Sequence, residues 1–217
     1  MGNASPRKVL IVTDDVLTTI MAGPAIRAWQ IAEALSGDHD VVLATTSPTC
    51  ERRSPRFRTE AGDLARFAQL ERWCDIVLLQ GYVLNHVPLL RHTDKIMIVD
   101  LYDPIHLEAL ELTRAQAPEE RAVNSASPVR ILSEQLTRGD FFVCASEKQR
   151  DLWLGFLSAM GRINPATYDD DPSLRRLIDI VAFGLTDEAP RHDRHALKGV
   201  VEGIGVDDEV VLWGGGV

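Results

Sequence analysis

The chain has 217 residues, of which 45% are hydrophobic and 25% charged, with a net charge of −9 and a pI of about 5.1. This composition is ordinary for one globular domain, or for one domain and part of another, and its acidic balance argues against a general nucleic-acid binder. The N-terminal residues lack the apolar core of a signal peptide and no apolar run approaches the roughly 20 residues that span a bilayer, so we predict a soluble, cytoplasmic protein, while attachment to a membrane surface stays open.

Short apolar runs alternate with helical patterns along the whole chain. The predicted strands are Val9–Thr13, Asp40–Ala44, Ile76–Gln80, Lys95–Asp100, Phe141–Ala145, Ile178–Ala182 and Val210–Trp213. Most are continuous apolar blocks, as expected for strands buried on both faces of a parallel sheet. The predicted helices between them are Pro24–Leu35, Gly62–Arg72, His106–Ala115, Pro128–Arg138, Glu147–Ala159 and Pro172–Ile178. This alternation predicts a doubly wound, mostly parallel, Rossmann-like α/β fold.

The character of the chain changes after Gly184. Residues 186–209 are polar, contain a proline and predict a linker with a short helix. The run VVLWGGG that follows is typical of the strand and glycine turn that open a second α/β domain. Because a single strand cannot bury its own faces, we predict one domain over residues 1–185. Residues 186–217 would then form a linker and the first strand of a second domain that lies mostly beyond this sequence.

An arginine near the start of the first predicted helix has the wrong charge for its position. Gly23 suits a turn or an N-cap, and Pro24 suits the first helical position. Arg27 ends the first turn, where the helix dipole disfavours a cation by about 0.3–1 kcal/mol. A bound phosphate or carboxylate would reverse that effect, because backbone N–H groups, a glycine and an arginine together suit an anion. The alternative is that Arg27 pairs with Asp14 or Asp15.

The segment IMIVDLYDPIHLEALE supplies the candidate catalytic residues. Asp100 ends a strand at the carboxyl edge of the sheet, where it could orient a substrate hydroxyl or act as a base. Asp103 is a second catalytic candidate, although its position before a proline also suits an N-cap alone. His106 follows in the first turn of the helix as a third candidate, with an ordinary packed or exposed histidine as the alternative.

The segment FFVCASEKQRDLWLG again places a polar cluster after a strand. Ser146 and Gln149 have the spacing of a capping box. Arg150 is another cation in a first helical turn, so the same anion-binding argument applies to it. We predict that these three residues bind substrate or phosphate together with Gly23, Pro24 and Arg27, and with Gly214 and Gly215 of the last glycine turn.

The cysteines and histidines do not form a metal-binding pattern. Cys50, Cys74 and Cys144 are far apart, and Cys144 is predicted to be a small buried hydrophobic residue. His192 and His195 have the spacing HxxH, but no third ligand lies close by in the sequence. We therefore predict neither a metal site nor a disulfide.

Five of these segments, in order, resemble the N-terminal half of a group 1 glycosyltransferase, a family with two Rossmann-like domains (the GT-B architecture). They are the first-strand loop MAGPAIRAWQIAEALS, the strand end VDLYDP, the segment CASEKQRDLWLG, the domain end VAFGL and the run VVLWGGG. Their order and spacing carry the resemblance, which covers the whole chain.

The resemblance implies an enzyme that transfers a sugar from a nucleotide-sugar donor to an acceptor, usually with retention of configuration. The N-terminal domain would hold the acceptor, and a C-terminal domain would hold the donor as a substrate, without a cofactor or metal. Arg27 and Arg150 would help to stabilise the diphosphate leaving group, and Asp100 would position the acceptor hydroxyl. On this reading the 217-residue chain alone is inactive and needs its C-terminal domain.

The chain departs from the family pattern at several positions. Ala22 precedes Gly23 where many relatives carry two glycines, and Asp100, Tyr102 and Asp103 occupy a region that usually offers a histidine. The paired-glutamate donor motif of the family would lie beyond Val217. A nucleotide-sugar epimerase or hydrolase of the same architecture, and a non-catalytic anion-binding interaction domain, therefore remain as alternatives.

Overall fold

The computed structural model describes residues 5–184, 189 and 191–212. Seven strands in this part form one all-parallel sheet in the order β3-β2-β1-β4-β5-β6-β7. They are β1 (Lys8–Thr13), β2 (Asp40–Thr45), β3 (Arg58–Ala61), β4 (Ile76–Gln80), β5 (Ile96–Asp100), β6 (Phe141–Cys144) and β7 (Ile178–Ile180). The predicted Rossmann-like, doubly wound α/β fold is confirmed.

Helices connect the strands and cover the sheet. They are α1 (Gly23–Leu35), α2 (Leu64–Trp73), α3 (Val83–His86), α4 (Ile105–Leu112), α5 (Pro118–Arg138), α6 (Glu147–Ala159) and α7 (Pro165–Asp170), with a 3₁₀ turn at Pro88–His92. In the described part of the chain, each helix is too short or too polar to cross a membrane.

The buried side chains form two clusters that share the strands of the sheet. Alternate residues of β1 enter different clusters: Leu10 and Val12 pack with α2, α5 and α6, whereas Val9 and Ile11 pack with α1. This division follows from the pleat, which sends successive side chains to opposite faces. Three small residues of α1 are buried against the sheet: Ala25, Ala28 and Ala32.

The edge strand β3 was not predicted from the sequence. Its residues RTEA contain no large apolar side chain, and all four are exposed or half-buried. It pairs only with β2 and lies at the edge of the sheet. Apolar periodicity cannot identify such a strand, because its stability comes from backbone hydrogen bonds to a neighbour that is distant in sequence.

Two helix predictions were wrong in position. α5 begins at Pro118, ten residues before the predicted start at Pro128, and Pro128 lies buried inside the helix. The predicted helix Pro172–Ile178 is absent among the described residues, which form turns that lead into β7. A short helix forms just before it instead, because Asn164 caps the start of α7 with a capping box.

The chain divides into two units, Met1–Phe183 and Gly184–Val217. The described residues of the second unit form turns, including a backbone bond from Gly199 N–H to the Ile204 carbonyl. The predicted linker helix is not formed there. The predicted strand Val210–Trp213 is also wrong for residues 210–212, which belong to no strand, and Trp213 lies outside the described residues.

Two glycines in the first unit predict opposite effects on stability. A Cβ at Gly139 would lie 2.6 Å from a Phe142 ring carbon and 2.9 Å from a methyl of Val99, whereas a Cβ at Gly155, exposed inside α6, meets nothing within 4 Å. We expect Gly139→Ala to lower the free energy of unfolding by about 1–3 kcal/mol through overpacking. Gly155→Ala should raise it by about 1 kcal/mol, because alanine favours the helix. Urea unfolding of both variants tests this, and equal effects would contradict the packing described here.

Candidate functional site

A buried ion pair joins the first helix to the fifth strand. Nε of Arg27 donates to one carboxylate oxygen of Asp100 at 2.7 Å, and Nη2 donates to the other at 2.9 Å. The two side chains are 1% and 0% exposed. The guanidinium also lies 5.2 Å from the centre of the Tyr102 ring and 5.1 Å from that of Phe183. Arg27 is therefore held on several sides by its own domain.

This ion pair explains why a cation, Arg27, stands near the start of α1. The sequence left open a bound anion or a bond to Asp14 or Asp15, and the structure pairs Arg27 with Asp100 instead. The fork geometry satisfies both carboxylate oxygens, so Asp100 has no exposed oxygen for a substrate hydroxyl. The proposed positioning role of Asp100 and the proposed anion-binding role of Arg27 are both inconsistent with this burial. Burial raises the pKa of Asp100, and its bonds to Arg27 oppose that rise.

The start of α1 also faces a carboxylate of the protein. Ala22 is the N-cap, one residue before the predicted position, and Gly23 and Pro24 open the helix. Burial raises the pKa of Asp15, while a backbone hydrogen bond from Ala25 in the first turn lowers it. Gly23 is exposed, and a Cβ there would meet nothing within 4 Å. The helix terminus that was expected to bind phosphate thus lies beside Asp15.

A pocket of about 210 Å³ opens at the carboxyl ends of β1, β4 and β5. The strand order reverses between β1 and β4, and open α/β sheets bind ligands in the crevice at such a point. The pocket is lined by Thr13, Asp14, Asp15, Pro24, Gln80, Gly81, Tyr82, Tyr102, Asp103, Ile105 and Glu108. Asp103 and Pro24 are the predicted site residues that lie in it.

Asp103 has an environment suited to proton transfer. Burial raises its pKa to about 6, with a further rise from the neighbouring Glu108. Its predicted role as an N-cap is wrong, since α4 begins after Pro104 without a side-chain cap. A carboxyl group that titrates near neutral pH can accept a proton from a substrate and release it again, which is the property of a general base.

Asp14 organises the loops around the pocket. Its Oδ1 accepts from the Thr46 hydroxyl at 2.9 Å and lies 2.8 Å from Nδ1 of His86, and its Oδ2 accepts from the Tyr82 backbone N–H at 2.9 Å. These contacts tie the ends of β1, β2 and β4 together. Asp14 and His86 also line a second, more open pocket of about 550 Å³.

His106 lies away from the pocket. Its ring packs against Phe156 and Trp153, with ring centres 5.4 Å and 5.8 Å apart. Burial lowers its pKa, and its Nδ1 has no hydrogen-bond partner among the described residues. The structure therefore favours the packed-histidine alternative over a catalytic role.

The second predicted anion-binding cluster is also occupied by internal contacts. Ser146 caps α6 by accepting from the Gln149 backbone N–H at 3.2 Å, which is one half of the predicted capping box. The Gln149 side-chain carbonyl oxygen accepts from the Ala145 N–H rather than from that of Ser146, so the other half does not form. The Gln149 side chain donates to the Tyr102 carbonyl at 2.6 Å. Arg150 is buried and donates to the carbonyls of Ile178 and Ser173. These bonds give all three residues structural roles.

Some predictions concern residues that the structure does not describe, or ligands that it does not contain. Gly214 and Gly215 lie outside the described residues. Within residues 5–184, 189 and 191–212, no group of three or more His, Cys, Asp or Glu side chains is arranged to hold a metal ion. The three cysteines are free thiols, and Cys144 is buried as expected.

Most of the pocket residues were missed because their partners are distant in the sequence. Asp14 and Asp15 follow β1, and Gln80 and Tyr82 end or follow β4. The rule that ligands bind at the switch point would have identified them once β1 and β4 were placed side by side. The sequence alone did not establish that adjacency. Glu108 lines the pocket from the first turn of α4.

No protein-family model matches the chain, and no curated protein matches it significantly.

The buried ion pair predicts a large and asymmetric effect on stability. We expect Asp100→Asn to lower the free energy of unfolding by about 3–5 kcal/mol, because it leaves the Arg27 charge buried without a partner. Arg27→Met should cost a similar amount at pH 7 but recover part of it at lower pH, where Asp100 can take up a proton. Urea unfolding at pH 7 and pH 5 measures both.

The exposed pair Arg114–Glu111 is the control for this experiment. Arg114→Met should cost less than about 1 kcal/mol at either pH, as exposed pairs do. If Asp100→Asn cost no more than this control, the ion pair would not have the importance assigned to it.

The raised pKa of Asp103 is directly measurable. We expect its carboxyl ¹³C resonance to titrate near pH 6, and Glu108→Gln to lower that pKa without returning it to 3.8, because burial is the larger cause. The folded protein then binds more protons than the unfolded chain between about pH 4 and 6. This group's contribution to stability therefore falls as the pH rises through that range. Glu111→Gln on the same helix should leave the titration unchanged, and an Asp103 pKa near 4 would refute the assignment.

Proposed function

We propose that the chain is the acceptor-side domain of a glycosyltransferase, with the pocket between β1, β4 and β5 as its acceptor site. The observation that carries the proposal is a contact cluster beside this pocket. It joins four segments on which the family resemblance rests, although they are far apart in the sequence. Arg27 of the first loop bonds Asp100 of the strand end, Gln149 bonds the Tyr102 carbonyl, and the Arg27 guanidinium faces Phe183 of the domain end.

Asp103 is the residue best placed to assist the reaction. In the transfer, the bond between the sugar C1 and a diphosphate oxygen breaks, and a bond between C1 and an acceptor oxygen forms. The acceptor hydroxyl loses its proton, and the Asp103 carboxylate can accept it because its pKa is near 6. The nucleoside diphosphate leaves with the electron pair of the broken bond. The donor itself would be held by a C-terminal domain, as the resemblance implies.

Other properties of the chain are compatible with this function. The net charge of −9 and the carboxylate-lined pocket favour a small polyhydroxylated substrate over a nucleic acid. Three free cysteines suit a reducing compartment, so we place the enzyme in the cytoplasm.

An activity assay on the natural full-length protein tests the proposal. It would be incubated with UDP-, GDP- and dTDP-sugars and a set of sugar and cyclitol acceptors, and the products followed by mass spectrometry. We expect nucleoside diphosphate release that depends on the acceptor, and a glycosylated product. Asp103→Asn should lower kcat by about 10²-fold or more, the usual effect of losing a general base, while Glu111→Gln retains wild-type kcat.

The other outcomes identify the competing functions. A change of the donor sugar without any acceptor would indicate an epimerase, and diphosphate release with water as the only acceptor would indicate a hydrolase. Either result would replace the transferase proposal. Turnover by residues 1–217 alone would contradict the placement of the donor site in a C-terminal domain.

A further inference from the structure

The polar part of the pocket at the switch point consists largely of side chains that accept hydrogen bonds. Four carboxyl side chains face it, from the end of β1, the loop after β5 and α4: Asp14, Asp15, Asp103 and Glu108. Its lining, drawn from the described part of the chain, includes no lysine, arginine or histidine. The buried guanidinium of Arg27 is paired with Asp100 and does not line the pocket. Asp14 contacts His86 Nδ1 outside this lining at 2.8 Å, whereas Asp15, Asp103 and Glu108 have no cationic side chain beside them in the lining. This excess of carboxyl groups favours a positively charged ligand.

Gln80 gives an independent indication of the chemistry of the ligand. Its side chain is buried, at 2% exposure, and lines the pocket. Its Nε2 donates to the Thr13 hydroxyl at 2.8 Å and to the Pro24 carbonyl at 2.9 Å. Because a carbonyl can only accept, the Pro24 contact fixes the orientation of the amide. The Oε1 atom is left without a hydrogen-bond donor among the described residues.

An unmet acceptor in a buried site is costly, by about 1–3 kcal/mol, so a ligand that brings a donor gains from filling it. Asp15 shows the same pattern, since its buried Oδ2 also lacks a donor within the described chain. Gln80 ends β4, Asp15 follows β1, and both residues line the same pocket. Both call for a ligand that donates hydrogen bonds, and the surrounding charge favours one that is positive.

The aromatic residues of the pocket suit the same ligand. Tyr82 and Tyr102 line it from the loops after β4 and β5. Aromatic rings attract ammonium groups and also pack against the apolar faces of sugar rings. At about 210 Å³ the pocket is smaller than the 300–1,000 Å³ typical of drug-sized ligands, which suits a single ring or part of one.

We propose that this pocket binds a protonated amino group, and that the acceptor of the proposed glycosyltransferase is an amine-bearing sugar or cyclitol. The ammonium group lies among the carboxylates and donates to Gln80 Oε1, while a neighbouring hydroxyl of the same ring meets Asp103. The identification as an acceptor rests on the proposed function, whereas the preference for an amine rests on the pocket alone. A phosphorylated acceptor is disfavoured, because the four carboxyl groups repel it.

Binding measurements on the chain of residues 1–217 test this preference. The probes are two matched pairs: glucosamine with glucose, and 2-deoxystreptamine with myo-inositol. Titrations are followed by ¹H–¹⁵N NMR at pH 7, using the backbone amides of Gly81, Tyr82 and Asp103 and the side-chain amide of Gln80. We expect each amine to bind at least about tenfold more tightly than its neutral partner and to shift the Gln80 side-chain resonances.

Charge-neutralising variants locate the effect. Glu108→Gln and Asp15→Asn should each weaken amine binding by about fivefold or more and leave the weak binding of glucose unchanged. Glu111→Gln is the control: Glu111 lies on the same helix, pairs with Arg114 and does not line the pocket, so this substitution removes the same charge from the surface. It should leave both affinities unchanged, and thermal unfolding shows that each variant is folded.

Several results would overturn the proposal. One is that an amine and its neutral partner shift the NMR resonances equally at the same concentration. A second is that glucosamine 6-phosphate binds more tightly than glucosamine. A third is that Glu111→Gln loses as much amine affinity as Glu108→Gln and Asp15→Asn. Saturation of the same amides by Mg²⁺ at lower concentration than by the amines would indicate a metal site instead. Amine binding without any sugar transfer by the full-length protein would refute the proposed function and leave the amine site intact. Efficient transfer to neutral acceptors, without a preference for amines, would refute the amine site and support the proposed function.

Discussion

The buried pair between Arg27 and Asp100 is the constraint on which the architecture of the carboxyl edge depends. It connects α1, which follows β1, to the end of β5, and β4 lies between β1 and β5 in the sheet. Two desolvated charges are tolerable only when they pair closely, and Nε and Nη2 of Arg27 satisfy both carboxylate oxygens, while Nη1 has no partner among the described residues. The Tyr102 and Phe183 rings then pack against the guanidinium. Two walls of the switch-point pocket, the start of α1 and the loop after β5, are positioned by this contact.

The pair also determines the charge of the pocket. A cation at this position in α1 could have neutralised the acidic residues that follow β1, but it is turned inward to Asp100. Asp15, Asp103 and Glu108 consequently line the pocket without a cationic side chain beside them, whereas Asp14 contacts His86 Nδ1. Burial raises the pKa of Asp103 and Asp15. The site is suited to hydrogen-bond donors and cations, which is the opposite of the phosphate site that the glycine, proline and arginine of the first loop suggested.

Local patterns predicted the fold well where burial dominates. Six of the seven strands were located because continuous apolar blocks such as VLIV and IVLL are characteristic of strands covered on both faces. α6 was predicted with its observed bounds, since Ser146 marks its start. The polar strand β3 was missed because its stability comes from backbone bonds to β2 rather than from its own periodicity. The first half of α5 was missed because residues 118–127 are exposed or half-buried and carry no apolar stripe.

The sequence by itself determined the fold class, the alternation of strands and helices, and the concentration of polar residues at strand ends. Tertiary structure decided which of those residues meet. Arg27 and Asp100 are 73 positions apart, and the sequence contains no information on distance that would have preferred Asp100 to Asp14 or Asp15 as the partner. The order of the strands brings β1 beside β4 and so assembles the pocket from Asp15, Gln80 and Asp103. Charge pairing depends on separations of a few ångströms in space, and only the folded chain establishes them.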